Sequence, residues 1–146
     1  MKIALKYGSL MFLGYLLLFL VMKFLHLYHI IELRALNFLI HSAGVYFALR
    51  EYQKAQKDNY GYITAFVEGM RVTLIGAIPF AIFMVVYLTV GEPEFLTYLQ
   101  EYALNGAYLT PGLIFLGLCM EAVGSGVIIS YLIMRYTIMR AVPRVS

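Results

Sequence analysis

The sequence predicts an all-α integral membrane protein, a four-helix bundle with a short outer amphipathic helix between helices 3 and 4. Three observations carry this. Apolar types make up 62% and charged types 13% of the 146 residues, against about 45–50% and about 25% in soluble domains. A chain this short has too much surface per unit volume to bury that excess within itself, so a bilayer has to cover it. The apolar residues also fall into runs near the roughly 20 residues that cross hydrocarbon, and the basic residues collect at alternate connections between those runs.

The first span is expected from Leu5 to Leu25, with Lys23 close enough to its end to snorkel to the interface. Lys2 and Lys6 before an apolar run resemble a signal peptide, but no small-residue cleavage pattern follows, so the run reads as a retained helix. The second span, Ile30 to Arg50, is shorter and more polar, carrying Asn37, His41 and Ser42. Glu51 to Tyr62 reads as an aqueous loop. The third span, Thr64 to Val90, holds Glu68 and Arg71 in its first turns and Pro79 mid-helix, where a backbone donor is lost. Gly91 ends it.

Pro93 to Leu104 has a different period. Phe95, Tyr98, Leu99 and Tyr102 recur at helical spacing, while Glu94, Thr97, Gln100 and Glu101 fill the other side. This predicts an amphipathic helix on the membrane surface or capping the bundle, ended by Asn105-Gly106. Thr110 and Pro111 read as N-cap and first helical residue of a fourth span, Gly112 to Met134. The chain is one transmembrane domain without internal repeats.

Charge sets orientation. Lys2 and Lys6, then Arg50, Lys54 and Lys57, then Arg135, Arg140 and Arg144 lie at the two ends and the middle connection. Gly91 to Pro111 has Glu92, Glu94 and Glu101 and no Lys or Arg. Both termini are therefore expected in the cytoplasm, in a cytoplasmic (inner) membrane, with the acidic segment outside. Lys23 and Arg34 in the first connection blur this pattern slightly. Tyr7, Tyr15, Tyr28, Tyr60, Tyr62, Tyr87, Tyr98, Tyr102 and Tyr108 are expected mostly near span ends, as an aromatic belt.

Glu121 is the outstanding candidate for chemistry. It lies near the middle of the fourth span, where a charged acid costs at least ~2.5 kcal/mol. It must face protein or water, or carry a proton. One reading is a proton or cation site, to which His41 in the second span could contribute; the plainer reading is a buried carboxyl bonded to a neighbouring helix. Gly117, Glu121, Gly124 and Ser125 share one helical face, and small residues let helices approach closely in lipid. Gly69, Thr73 and Gly76 offer a similar packing face on the third span. Glu68 and Arg71, three apart, are expected to pair with each other; the alternative is an anion or lipid-headgroup site.

Other chemistry finds little support. His29 and Glu32, with His26 nearby, make only a weak metal-like spacing, so no metal and no cofactor is expected. Cys119 is the single cysteine and reads as a packing residue. Phosphate-loop, GxSxG, HExxH and CxxC motifs are missing, so no enzyme is expected. A net charge of +3 gives no argument for nucleic acid.

Several segments occur in a familiar order. Ala48-Leu-Arg-Glu-Tyr closes the second span, Tyr60-Gly-Tyr-Ile-Thr-Ala-Phe-Val-Glu-Gly-Met opens the third, and Gly91-Glu-Pro-Glu-Phe95 follows it. Thr110-Pro111 then leads to Gly126-Val-Ile-Ile-Ser-Tyr-Leu-Ile. In these segments the chain resembles a bacterial membrane family catalogued as domain of unknown function 4199. The resemblance implies four membrane helices, assigns no activity and transfers no catalytic residue.

The expected role is a non-enzymatic structural or accessory subunit, pairing with itself as a homo-oligomer or with a membrane complex through the third and fourth spans. The competing role is an oligomeric proton- or cation-coupled channel or transporter using Glu121.

Overall fold

The computed structural model describes residues 2–25, 35–56, 59–102 and 106–141. The described residues form α1 (Lys2–Phe24), α2 (Ala35–Ala55), α3 (Tyr62–Val86), α4 (Pro93–Tyr102) and α5 (Pro111–Ala141), with a π-helical turn at Tyr87–Gly91 and a 3₁₀ turn at Gly106–Tyr108. They contain no strand. The first connection, with His26, His29, Glu32 and Arg34, lies outside the described residues, as do Lys57, Asp58, Asn105 and Arg144.

Three helical stretches are long and apolar enough to cross a membrane: Lys2–Phe24, Tyr62–Gly91 and Pro111–Met139. Their outward faces carry large apolar side chains, such as Leu17 (65% exposed) and Met120 (69%). Water would penalise that surface and lipid would not. The described part of α2 is not among the three, because Asn37, His41, Arg50, Glu51 and Lys54 dilute its apolar run.

α2 and α3 are the shared inner pair: each packs against the other and against both α1 and α5. Glycines set the closest approaches. A Cβ at Gly8 would lie 2.5 Å from Ile75 Cγ2 and 3.1 Å from the Val72 carbonyl. One at Gly76 would lie 3.1 Å from the Gly8 carbonyl. α1 and α3 therefore nearly touch backbones at this level. Towards the other end they are spaced by aromatic rings: Tyr15 on Phe80 (centroids 5.4 Å apart), then Phe19 on Phe83 (5.9 Å) and Tyr87 (5.0 Å). Met11, 2% exposed, fills the space left by Gly44 and Gly76.

The segment expected as loop from Glu51 begins later. α2 runs to Ala55, because Glu51 has partners on α1. Its Oε2 accepts from Lys6 Nζ and Tyr7 Oη, both at 2.7 Å. Lys6, then Tyr7, hold the Glu51 carboxyl below the usual carboxylate range. At the same end Tyr60 Oη lies 2.6 Å from Thr137 Oγ1, and Gln53 Nε2 donates to the Thr137 carbonyl at 3.0 Å. These bonds tie α2 and the start of α3 to α5. Thr64 supports the α3 N-terminus: its hydroxyl accepts the Gly61 N–H at 3.0 Å. At the start of α5, Thr110 Oγ1 accepts the Leu113 N–H at 3.3 Å, as an N-cap does. α5 continues past Met134 to Ala141.

Candidate functional site: a polar seam and its cavity

Among the described residues, the buried polar or charged side chains are His41, Glu68, Thr73, Ser130 and Thr137. All five lie on α2, α3 or α5, so the polar interior follows a single seam. A scattered set would point to isolated local bonds; a seam points to a connected feature.

His41 is its centre. It is 4% exposed. Its Nε2 lies 2.8 Å from Thr73 Oγ1, and its Nδ1 lies 3.4 Å from Ser125 Oγ. The Thr73 hydroxyl donates to the Gly69 carbonyl at 3.1 Å. A hydroxyl has one proton to give, so Thr73 must accept from His41. That assigns the ring proton to Nε2 and leaves Nδ1 an acceptor that competes with the Ala122 carbonyl for the single Ser125 proton. The hydrogen bonds thus run from α5 through α2 to the backbone of α3. Ser125 also has the Ala122 carbonyl within 3.2 Å.

Beside His41 is a cavity of about 230 Å³, lined by residues of all four long helices. Its polar lining comprises Tyr15 from α1, Asn37 and His41 from α2, and Glu121 and Ser125 from α5. Helical spacing explains the convergence. Asn37 and His41 are four apart on one helix, Glu121 and Ser125 four apart on another, and each pair shares a face. Asn37 Oδ1 is buried and accepts no hydrogen bond among the described residues. The apolar walls include Phe80, Ala77 and Leu118. A mostly apolar cavity with a few convergent polar groups is the usual form of a small-ligand or ion site.

Glu68 lies further along the seam, 1% exposed. Its Oε2 accepts from Arg71 Nη1 at 3.2 Å, and the Arg71 side chain is 56% exposed. Its Oε1 has no partner among the described residues, nor has Ser130 Oγ on α5. Ser130 sits against Gly69: a Cβ there would lie 2.6 Å from Ser130 Oγ. An orphaned buried polar atom costs about 1–3 kcal/mol, and two along one seam mark it as a place where water or a proton has partners ready.

The two glycine faces behave differently. Gly69 and Gly76 on α3 sit at close helix contacts. Gly117 and Gly124 on α5 do not, since a Cβ at either meets nothing within 4 Å. The close approach on α5 is made by Gly126, whose Cβ would fall 2.6 Å from Thr73 Cγ2. Glu121 is exposed at the cavity rather than enclosed between helices. Tyr15, expected in the interfacial belt, is 6% exposed and lines the cavity. Sequence reasoning also missed Asn37 as a cavity group, although its spacing four residues before His41 was a usable signal. Gly126 and Ser130 gave none, because nothing in a uniformly apolar helix tells which small residue meets a neighbour. Among the described residues no group of three His, Cys, Asp or Glu side chains could hold a metal ion.

Apolar helices around a polar seam define this chain as a helical membrane protein. It belongs to the family described as protein of unknown function (DUF4199), whose sequence profile matches residues 6–114. The matched stretch includes Asn37, His41, Glu68 and Thr73; Glu121, Ser125 and the Gly126–Ser130 segment lie beyond it. No curated protein and no solved structure matches the chain.

Proposed function

We propose that this is a four-span protein of the cytoplasmic membrane, with both termini in the cytoplasm, that handles protons or small cations at the cavity between His41 and Glu121. The carrying observation is the cavity, where His41, Glu121, the hydroxyls of Tyr15 and Ser125 and an orphaned amide oxygen meet inside otherwise apolar helices. Ionisable groups at such depth face water or each other when they serve transport. The seam of Thr73, Ser130 and Glu68 supports a route onward from the cavity to Arg71, which is half exposed. Lys2, Lys6, Arg50, Lys54 and Arg135 at one end of the helices, against Glu92, Glu94 and Glu101 at the other, support the orientation. α2 completes the fourth span in this reading, with its polar face turned to the seam. In this reading the role is non-enzymatic.

A wet cavity has a direct test. In a Cys119→Ser background, Ala122→Cys should react with a charged, membrane-impermeant thiol reagent added from outside, because Ala122 lines the cavity. Val127→Cys, on the lipid-facing side of α5 (42% exposed), should not. If Ala122→Cys stays unmodified while a cysteine in the α4 segment reacts, the cavity is dry and the proposal fails.

One observation favours a second role, an accessory subunit of an oligomer or larger complex. Gly117 and Gly124 leave open space along the outward face of α5, which another membrane helix could occupy at close range.

A further inference from the structure

A second cavity, of about 330 Å³, lies where the end of α1, the turn at Tyr87–Gly91 and α4 meet. We propose that it holds the headgroup of a phospholipid bearing a primary ammonium, of the phosphatidylethanolamine type. Its position comes first. Lys23 is in the last turn of a membrane-length helix, and Pro93 starts the amphipathic α4, so the cavity lies at headgroup depth. Lipid headgroups are the most concentrated ligands there. The size falls at the small end of ligand pockets, about 300–1,000 Å³.

The lining fits an ammonium and a phosphate together. Lys23 Nζ bonds Glu92 Oε1 at 2.7 Å and stands 4.8 Å from the Tyr87 ring centroid. Tyr87 Oη donates to Glu92 Oε2 at 2.6 Å. Lys23, then Tyr87, hold the Glu92 carboxyl below the usual carboxylate range, so Glu92 is committed to its partners. Lys23 has three donors and commits them first to the Glu92 carboxylate and the Tyr87 hydroxyl. The third can meet a phosphate. Glu94, exposed on the first turn of α4, makes no ion pair among the described residues. Beside it Phe95 and Tyr98 stack with planes 11° apart, giving ring faces that attract a cation. With two carboxylates and one ammonium among the described residues, the lining balances at −1. That sign favours a zwitterion over an anionic lipid. A primary ammonium can donate to Glu94, whereas a choline headgroup cannot.

Native mass spectrometry of the full chain, delipidated and then offered equal amounts of ethanolamine, choline and glycerol phospholipids with the same acyl chains, tests this. The ethanolamine lipid should be retained roughly tenfold over the glycerol lipid, the worth of one charge-assisted hydrogen bond. Glu94→Gln should bring it down to the choline level, while Thr97→Ala on the same helix should not. Equal retention of the glycerol lipid, or undiminished ethanolamine-lipid retention in Glu94→Gln, overturns the proposal. Displacement of the lipid by an equal concentration of soluble phosphoethanolamine also overturns it, since the ligand would then be a soluble amine.

Discussion

Gly8→Val should destabilise the protein more than any outward-facing substitution, by on the order of 3 kcal/mol, the upper part of the usual range for overpacking. The first added carbon would already lie 2.5 Å and 2.7 Å from two Ile75 atoms and 3.1 Å from the Val72 carbonyl. Ile75 is branched at the atom approached, and a carbonyl cannot rotate away. α1 would have to leave α3, taking with it the ring contacts of Tyr15 and Phe19. Gly124→Val is the matched comparison, because a Cβ there meets nothing within 4 Å. Thermal unfolding in detergent should show a large drop for Gly8→Val and almost none for Gly124→Val. Equal stability of the two variants would mean that α1 does not seat on α3 at Gly8.

His41→Leu should remove the activity proposed for the cavity while leaving most of the stability. The ring joins Thr73 to Ser125, and both lose that bond. Each hydroxyl keeps a backbone acceptor, the Gly69 carbonyl for Thr73 and the Ala122 carbonyl for Ser125, so neither is stranded. Two ordinary hydrogen bonds then set the cost at about 1–3 kcal/mol, at about 0.5–1.5 each. The functional loss should be larger, tenfold or more in flux, because His41, which links cavity to seam, is gone. His41→Gln, which can still donate and accept, should recover stability better than flux. Unchanged flux in His41→Leu would place any route elsewhere.

Much of this fold was legible from hydropathy and punctuation. Apolar runs located the long helices, Gly91 and Pro93 marked the change of direction, and Thr110-Pro111 marked the start of α5. Those signals are local, so one chain carries them. The end of α2 was misplaced because Glu51 and Lys54 look like loop residues until Lys6 and Tyr7 are known to stand opposite. Glu121, His41 and Ser125 were each visible as polar residues in apolar helices, where any polar group is costly. That they line one cavity was not visible, since it depends on how α2 and α5 rotate against α3. The same ignorance of rotation hid Gly126 as the close contact of α5 with α3, while Gly117 and Gly124 face outward from this chain. Tyr15 was assigned to an interface by its residue type, whereas its partners Phe80 and His41's cavity lie on other helices.

Flux into proteoliposomes shows whether the His41–Glu121 cavity passes protons or sodium, with wild-type protein, Glu121→Gln and empty vesicles compared under an imposed gradient of either ion at matched, verified protein density. Wild type should show flux above the empty vesicles, and Glu121→Gln a loss of at least roughly tenfold, a difference of about 1.4 kcal/mol or more in the barrier, with folding unchanged. Wild-type vesicles no leakier than empty ones, or equal flux through Glu121→Gln, would contradict it.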